Sequence, residues 1–196
     1  RVHRRQRQMC IRDRVYAGHQ FGNWVPQLGD GRAHLLGEVL DREGNKYDLQ
    51  LKGSGRTPYS RGGDGKAWLG PVIREYVVSE YMNNIHIPTT RSLSAVLTGD
   101  NVYREETYPG AVLCRVARSH IRVGTFQYFY SRKDTKSLKI LADYFIEHHF
   151  PNLEKNENKY FELFKNVVDG QINLVTSWMK VGFIHGVMNT DNTSIS

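Results

Sequence analysis

Residues 48–76, DLQLKGSGRTPYSRGGDGKAWLGPVIREY, constrain this chain more than any other stretch. Asp48-Leu49-Gln50-Leu51-Lys52 alternates polar and apolar residues, the period of a strand with one buried face, and it leaves Lys52 at the strand's end. Residues 53–65 then hold five glycines (Gly53, Gly55, Gly62, Gly63, Gly65), two arginines and Asp64. Such a composition exposes backbone N–H groups and leaves room for an anion to come close. Helical spacing begins at Gly70-Pro71, with proline at the first helical position, and Val72, Ile73, Tyr76, Val77 and Met82 supply the apolar pattern. Glu75 shares a helix face with Val72, Ser79 and Met82, so its carboxylate is expected to point inward and to need a cation. Lys52, 23 positions earlier, is the natural partner.

Such a pair has two uses. It can be a plain structural ion pair, or it can be the device by which kinase folds aim a strand ammonium at nucleotide phosphates. A second glycine turn, Gly29-Asp30-Gly31-Arg32, stands one hairpin earlier, ahead of an apolar run ending near Val39. Residues 47–51 are its expected partner strand, across the turn at 41–45. Turns of this kind commonly bind nothing, but one placed before a lysine strand also covers phosphates in kinase-like folds, and Arg32 adds a guanidinium.

Charge narrows the function. Of the net charge of +7, residues 1–14 (RVHRRQRQMCIRDR) carry +5, which leaves +2 for the other 182. The basicity is thus a tail, expected to be disordered or foreign to the fold, and nucleic acid is not an expected partner. Two cysteines, Cys10 and Cys114, offer no disulfide framework and suit a reducing compartment, so a cytoplasmic protein is expected. With no apolar run of 18 residues, no membrane span is expected.

Along the rest of the chain, residues 15–24 (VYAGHQFGNW) read as an entry segment whose His19, Phe21 and Trp24 pack an edge. Strands are expected at 90–98, 102–104 and 110–117, with turns at Gly99-Asp100-Asn101 and at 107–110. Arg115, Arg118 and Arg122 lie at the end of the last strand and its exit loop, either as a solvated rim or as guanidiniums converging on a phosphate. Helices are expected at 126–130 and 138–150, followed by a long one with Phe161, Phe164, Val167, Val168, Ile172, Val175 and Met179 on a buried stripe. HGVMNTDN (185–192) ends in Asp191-Asn192; it suits a polar turn, or a catalytic loop with the order of the kinases.

Together HQFGNWVPQLGDGRAHLLGEV, DLQLKGSGRTPYSRGGDGKAWLGPVIREY, IPTTRSL and HGVMNTDN resemble the SelO (YdiU) family, protein adenylyltransferases with a protein-kinase-like fold. The resemblance runs from Val15 to the end. It implies an α+β, two-lobed fold: an N-lobe over 15–118 with an antiparallel sheet and one helix, and a partial helical C-lobe over 119–196. It implies ATP and Mg²⁺ or Mn²⁺ as cofactors, and transfer of AMP to Ser, Thr or Tyr hydroxyls of protein substrates. Carried over by position, Gly29, Gly31, Arg32, Lys52, Asp64 and Gly65 would bind the nucleotide, with Glu75 pairing Lys52. Arg115 and Arg122 would hold the terminal phosphate, Asp191 would act as base, and Asn192 would ligate the metal. The family's second metal ligand, an aspartate in an Asp-Tyr-Gly segment, falls beyond Ser196, so a fragment is expected. A protein kinase using the gamma phosphate and an inactive ATP-binding scaffold are the competing expectations.

Overall fold

The computed structural model describes residues 15–195, so the basic stretch 1–14 and the disorder expected of it lie outside the described residues. The chain forms two compact units, one of residues 29–118 and one that joins 15–28 to 119–195. The class is α+β, as expected.

The first unit is a five-stranded antiparallel sheet with one helix. Its strands are β3 (Ala33–Leu40), β4 (Lys46–Lys52), β5 (Ala67–Trp68), β6 (Arg91–Tyr103) and β7 (Thr107–Ala117), in the order β3-β4-β7-β5 with β6 also on β7. The hairpin expected around 41–45 joins β3 to β4, and Asp41 closes it by accepting from the backbone of Glu43 and Asn45. Helix α1 (Leu69–Asn84) lies on β6 and β7, burying Val72, Ser79 and Met82. Glu75 therefore sits on the face its spacing predicts. Val72 meets Ala67, Ala111 and Leu113 in the core, and Ser79 Oγ bonds Ser92 Oγ at 2.8 Å.

Three local expectations change. The helix starts at Leu69, which makes Pro71 its third residue; the first-turn N–H groups have no partner inside the helix, so a proline there loses nothing. Residues 99–101 are not a turn but part of β6, where the register slips between Leu97 and Asn101. Gly99 adopts a left-handed φ of 80°, the geometry of a bulge, and a bulge uses the same residue types as a turn. The reversal comes at 104–106, where Arg104 N–H bonds Glu106 O at 2.9 Å, so 107–110 is strand.

The second unit holds a hairpin and three helices. Strands β1 (Val15–Gln20) and β2 (Asn23–Gly29) pair, joined by Phe21-Gly22, both with positive φ as a two-residue hairpin turn requires. Phe21 does not pack an edge: it is fully exposed at the hairpin tip, while His19 lies against Trp24. Helices α2 (Val123–Ser131), α3 (Thr135–His149) and α4 (Lys159–Lys180) follow, with a 3-10 turn at Pro151–Leu153. Asp134 caps α3 through the Ser137 N–H. Phe145 and Ile146 are sealed among Ile121, Phe129, Leu141, Leu153, Leu163 and Ile195.

The stripe predicted as buried on α4 is a finding in the opposite sense. Only Leu163 of that helix is buried, and Phe161, Phe164, Ile172 and Met179 are 57–72% exposed. Helical spacing identifies an apolar face, but burial needs an element opposite it, and α3 with the 3-10 turn meets α4 in its first turns, at Lys159, Tyr160, Leu163 and Val167.

Candidate functional site

In the sheet unit the site grows from the pleat of β4 and β7. Gln50 pairs across the ladder with Arg115, and Lys52 with Leu113, so these side chains share the face that α1 covers. Glu75 on α1 receives both cations: Lys52 Nζ donates to Oε2 and Arg115 Nε to Oε1. Arg115 Nη1 also donates to Gln50 Oε1 at 3.1 Å, and Gln50 Nε2 donates to Asp30 Oδ2 at 3.0 Å. Gln50 and Asp30 are both buried. The relay from the Gly-Asp-Gly-Arg turn to α1 is thus complete.

The electrostatics of this cluster are lopsided. Burial pushes the Glu75 carboxyl up, but the hydrogen bond and charge of Arg115, together with those of Lys52, hold it down at about 2. The Lys52 ammonium is moved the other way. Burial and repulsion from Arg115 lower its pKa, Arg32 adds to this, and Glu75 only partly compensates. Two cations share one carboxylate with a third close by, an environment completed by an anion.

The glycine-rich loop is pinned at both ends. Thr57 Oγ1 donates to Asp30 O at 2.7 Å and Ser60 Oγ to Gly31 O, which holds the 29–32 turn against the loop; Gly53 N–H donates to Arg32 O at 2.7 Å. Gly29 lies under the Tyr59 ring. At the far end Arg104 makes a two-pronged ion pair with Asp64, at 2.8 and 2.9 Å, and Asp64 Oδ1 accepts from the Lys66 N–H. The Arg104 hydrogen bond comes first among the causes that hold the Asp64 carboxyl at about 2. Asp64 is expected from the resemblance to meet the nucleotide; its carboxylate is engaged by Arg104, and the sequence gives no warning of that partner 40 residues on. Gly65 has φ 67°, and a Cβ there would stand 1.9 Å from the Gly55 carbonyl oxygen. Gly65→Ala is therefore expected to open the loop. Where this loop holds a nucleotide, as the resemblance implies, binding by calorimetry should weaken at least tenfold while the melting temperature falls by only a few degrees, because no residue of the loop belongs to either core cluster.

In the helical unit the centre is Asp191, 4% exposed, in a turn closed by Asn192 N–H to Asn189 O at 2.8 Å. The start of α2 holds this turn: Gly124 N–H donates to Thr190 O at 2.8 Å, Val123 N–H to Thr193 O at 2.9 Å, and Arg122 Nη1 to Asp191 O. The Arg122 guanidinium also lies over the Tyr16 ring, 4.5 Å from its centroid. Gln20 Nε2 donates to Asp191 Oδ2 at 3.4 Å, whereas Oδ1 is buried with no hydrogen-bond partner among the described residues. An orphaned carboxylate oxygen costs stability unless something completes it. Asn192 is exposed. Among the described residues no three His, Cys, Asp or Glu side chains gather as a metal cluster. Asp191 and Asn192 do offer oxygen atoms, the donor type Mg²⁺ takes when waters and phosphates complete its shell. His185 stacks on Trp178, ring centroids 5.5 Å apart.

The structure thus brings together Lys52, Glu75 and Arg115, and separately Arg122 with Asp191. Gln50, Asp30 and Gln20 complete the two clusters and go unnoticed in the sequence. Gln50 carries a signal, a polar residue two before Lys52 on the same strand face; Gln20, 171 residues from its partner, carries none.

The family model described as "Protein adenylyltransferase SelO" matches residues 4–196. A protein nucleotidyltransferase YdiU of Rhizobium rhizogenes is 64% identical over 182 residues, 93% of this chain and 36% of the relative. Another of that name, from Nitrobacter hamburgensis, is 65% identical over 181 residues, 92% of this chain and 36% of its own length. A third, from Alkalilimnicola ehrlichii, is 62% identical over 181 residues, 92% of this chain and 37% of the relative. The chain spans just over a third of the length of these relatives.

Proposed function

Because this chain belongs to the SelO family of protein adenylyltransferases, we propose that the intact protein transfers AMP from ATP to Ser, Thr or Tyr hydroxyls of other proteins and releases pyrophosphate. On this reading the sheet unit is the nucleotide-binding lobe of a kinase-like fold, and the helical unit is the beginning of the second lobe. The protein would work in the cytoplasm, where a free buried thiol such as Cys114 persists reduced.

The observation that carries the proposal is the Lys52–Glu75–Arg115 cluster with its surplus of positive charge. The acceptor oxygen attacks the alpha phosphorus, the bond to the bridging oxygen breaks, and charge builds on the departing pyrophosphate. Lys52 and Arg115, aimed by Glu75, stabilise that charge, with Arg32 and Arg122 as further cations; donors fixed beforehand are worth most where charge develops. Asp191 takes the proton of the hydroxyl, using a carboxylate already removed from water. Asp64 and Gly65 shape the loop, with the Gly29–Gly31 turn, against which the nucleotide rests. A bound Mg²⁺ or Mn²⁺ would neutralise phosphate charge, with the Asn192 amide oxygen among its ligands.

Parallel incubation of the intact protein and an acceptor with ATP labelled at the alpha or at the gamma phosphate tests this. Protein-bound label is expected from the alpha position alone. Label from gamma alone would make the protein a kinase, and label from neither, with ATP still bound, would make it a scaffold.

A further inference from the structure

One face of β1 lines the Asp191 turn. Side chains alternate along a strand, so Tyr16, Gly18 and Gln20 project to the same side. All three meet the same two residues: the Tyr16 ring carries the Arg122 guanidinium, Gly18 abuts Asp191, and Gln20 bonds its carboxylate. A Cβ at Gly18 would stand 2.8 Å from Asp191 Cβ and 3.0 Å from Oδ1, so the absence of a side chain there is what lets the carboxylate lie against the strand. The strand itself is anchored, because α2 packs on β1 and Gly124 sits against the Ala17 carbonyl.

We propose that Gln20 is a positioning residue for the Asp191 carboxylate: its amide occupies Oδ2 and, with Oδ1 held against Gly18, fixes the rotation of the group. The inference rests on the proposed role of Asp191 as base. It goes further in assigning a task to the Tyr-Ala-Gly-His-Gln strand, which spacing alone suggests only as an edge. A carboxylate free to rotate would present its lone pairs to the acceptor hydroxyl for only part of the time, and misorientation of a reacting group lowers the rate without weakening substrate binding. Gln20 therefore acts on turnover through Asp191.

The test uses Gln20→Met, which keeps shape and loses the donor, and Gln20→Glu, which sets a second negative charge beside Asp191. In the intact protein, with alpha-labelled ATP and casein as a hydroxyl-bearing acceptor, kcat is expected to fall about tenfold for Met and further for Glu, with KM for ATP within about twofold of the parent. A second readout needs no turnover. Gln20→Met should lower the melting temperature by a few degrees in the parent and by less than a degree in an Asp191→Ala background, where the partner is gone. Equal shifts in both backgrounds, or unchanged kcat, would overturn the proposal. If the parent transfers no label, the functional reading fails, and the melting comparison still decides whether Gln20 holds Asp191.

Discussion

Asp191→Asn is expected to lower the rate of nucleotidyl transfer by about 100- to 10,000-fold, the usual worth of a positioned general base. The exchange keeps the shape of the side chain and removes its proton affinity. It should therefore leave the turn intact: the contacts that hold residues 189–193 run through backbone atoms, from Gly124 N–H to Thr190 O and from Val123 N–H to Thr193 O, and Arg122 grips the Asp191 carbonyl, not its carboxylate. Melting temperature should stay within a few degrees of the parent, or rise, because the carboxylate carries a buried oxygen with no partner among the described residues. Binding of ATP should be unchanged. Transfer measured with alpha-labelled ATP, beside a thermal melt of the same preparation, checks all three. A variant that keeps more than a tenth of the parent rate would remove Asp191 from the role of base.

Glu75→Ala is expected to produce the largest loss of stability, about 3 kcal/mol, because it strands two largely buried cations on one another. The pH dependence of the parent follows from the same geometry. In the fold the Glu75 carboxyl is held at about 2, against 4.5 when the chain is open. The depressed value means that the open chain binds the proton more readily than the folded one. The contribution is therefore complete above about pH 4.5 and is lost as pH falls from there toward 2. With the side chain about a quarter exposed, the shift corresponds to roughly 3 kcal/mol. Lys52 acts in the opposite sense. Its lowered pKa means that the fold pays for the ammonium up to the alkaline range, a cost that a bound polyphosphate would remove. Urea unfolding of the parent and of Glu75→Ala at pH 7 and at pH 3 checks this: the gap between them should narrow at the lower pH. A difference under about 1 kcal/mol at pH 7 would mean that the pair is a solvated one.

How much of this could be read from the residues differs from place to place. The pairing of Lys52 with Glu75 is legible because strand, loop and helix follow one another, and the period of each places the two side chains. The 33–52 hairpin is legible for a similar reason, since a short turn of Asp, Gly and Asn joins two apolar runs. The bulge at Gly99 is not, because the residues that make a turn also make a bulge, and what decides is that β7 continues alongside, with Gly110 packed against Thr98.

The site divides along the same line. Local periodicity by itself determined the identity of the charged residues and which face of a strand or helix each occupies, since those follow from steric repeats of two and 3.6 residues that operate within a few positions of the chain. Tertiary structure alone decided the partners: Arg104 for Asp64, Gln50 for Arg115 and Asp30 for Gln50, Gln20 for Asp191, and the exposure of Phe161, Phe164 and Met179 despite their helical stripe. A hydrogen bond or a buried face needs a second surface, and where the chain supplies that surface from 20 to 171 residues away, no short-range repeat encodes the meeting.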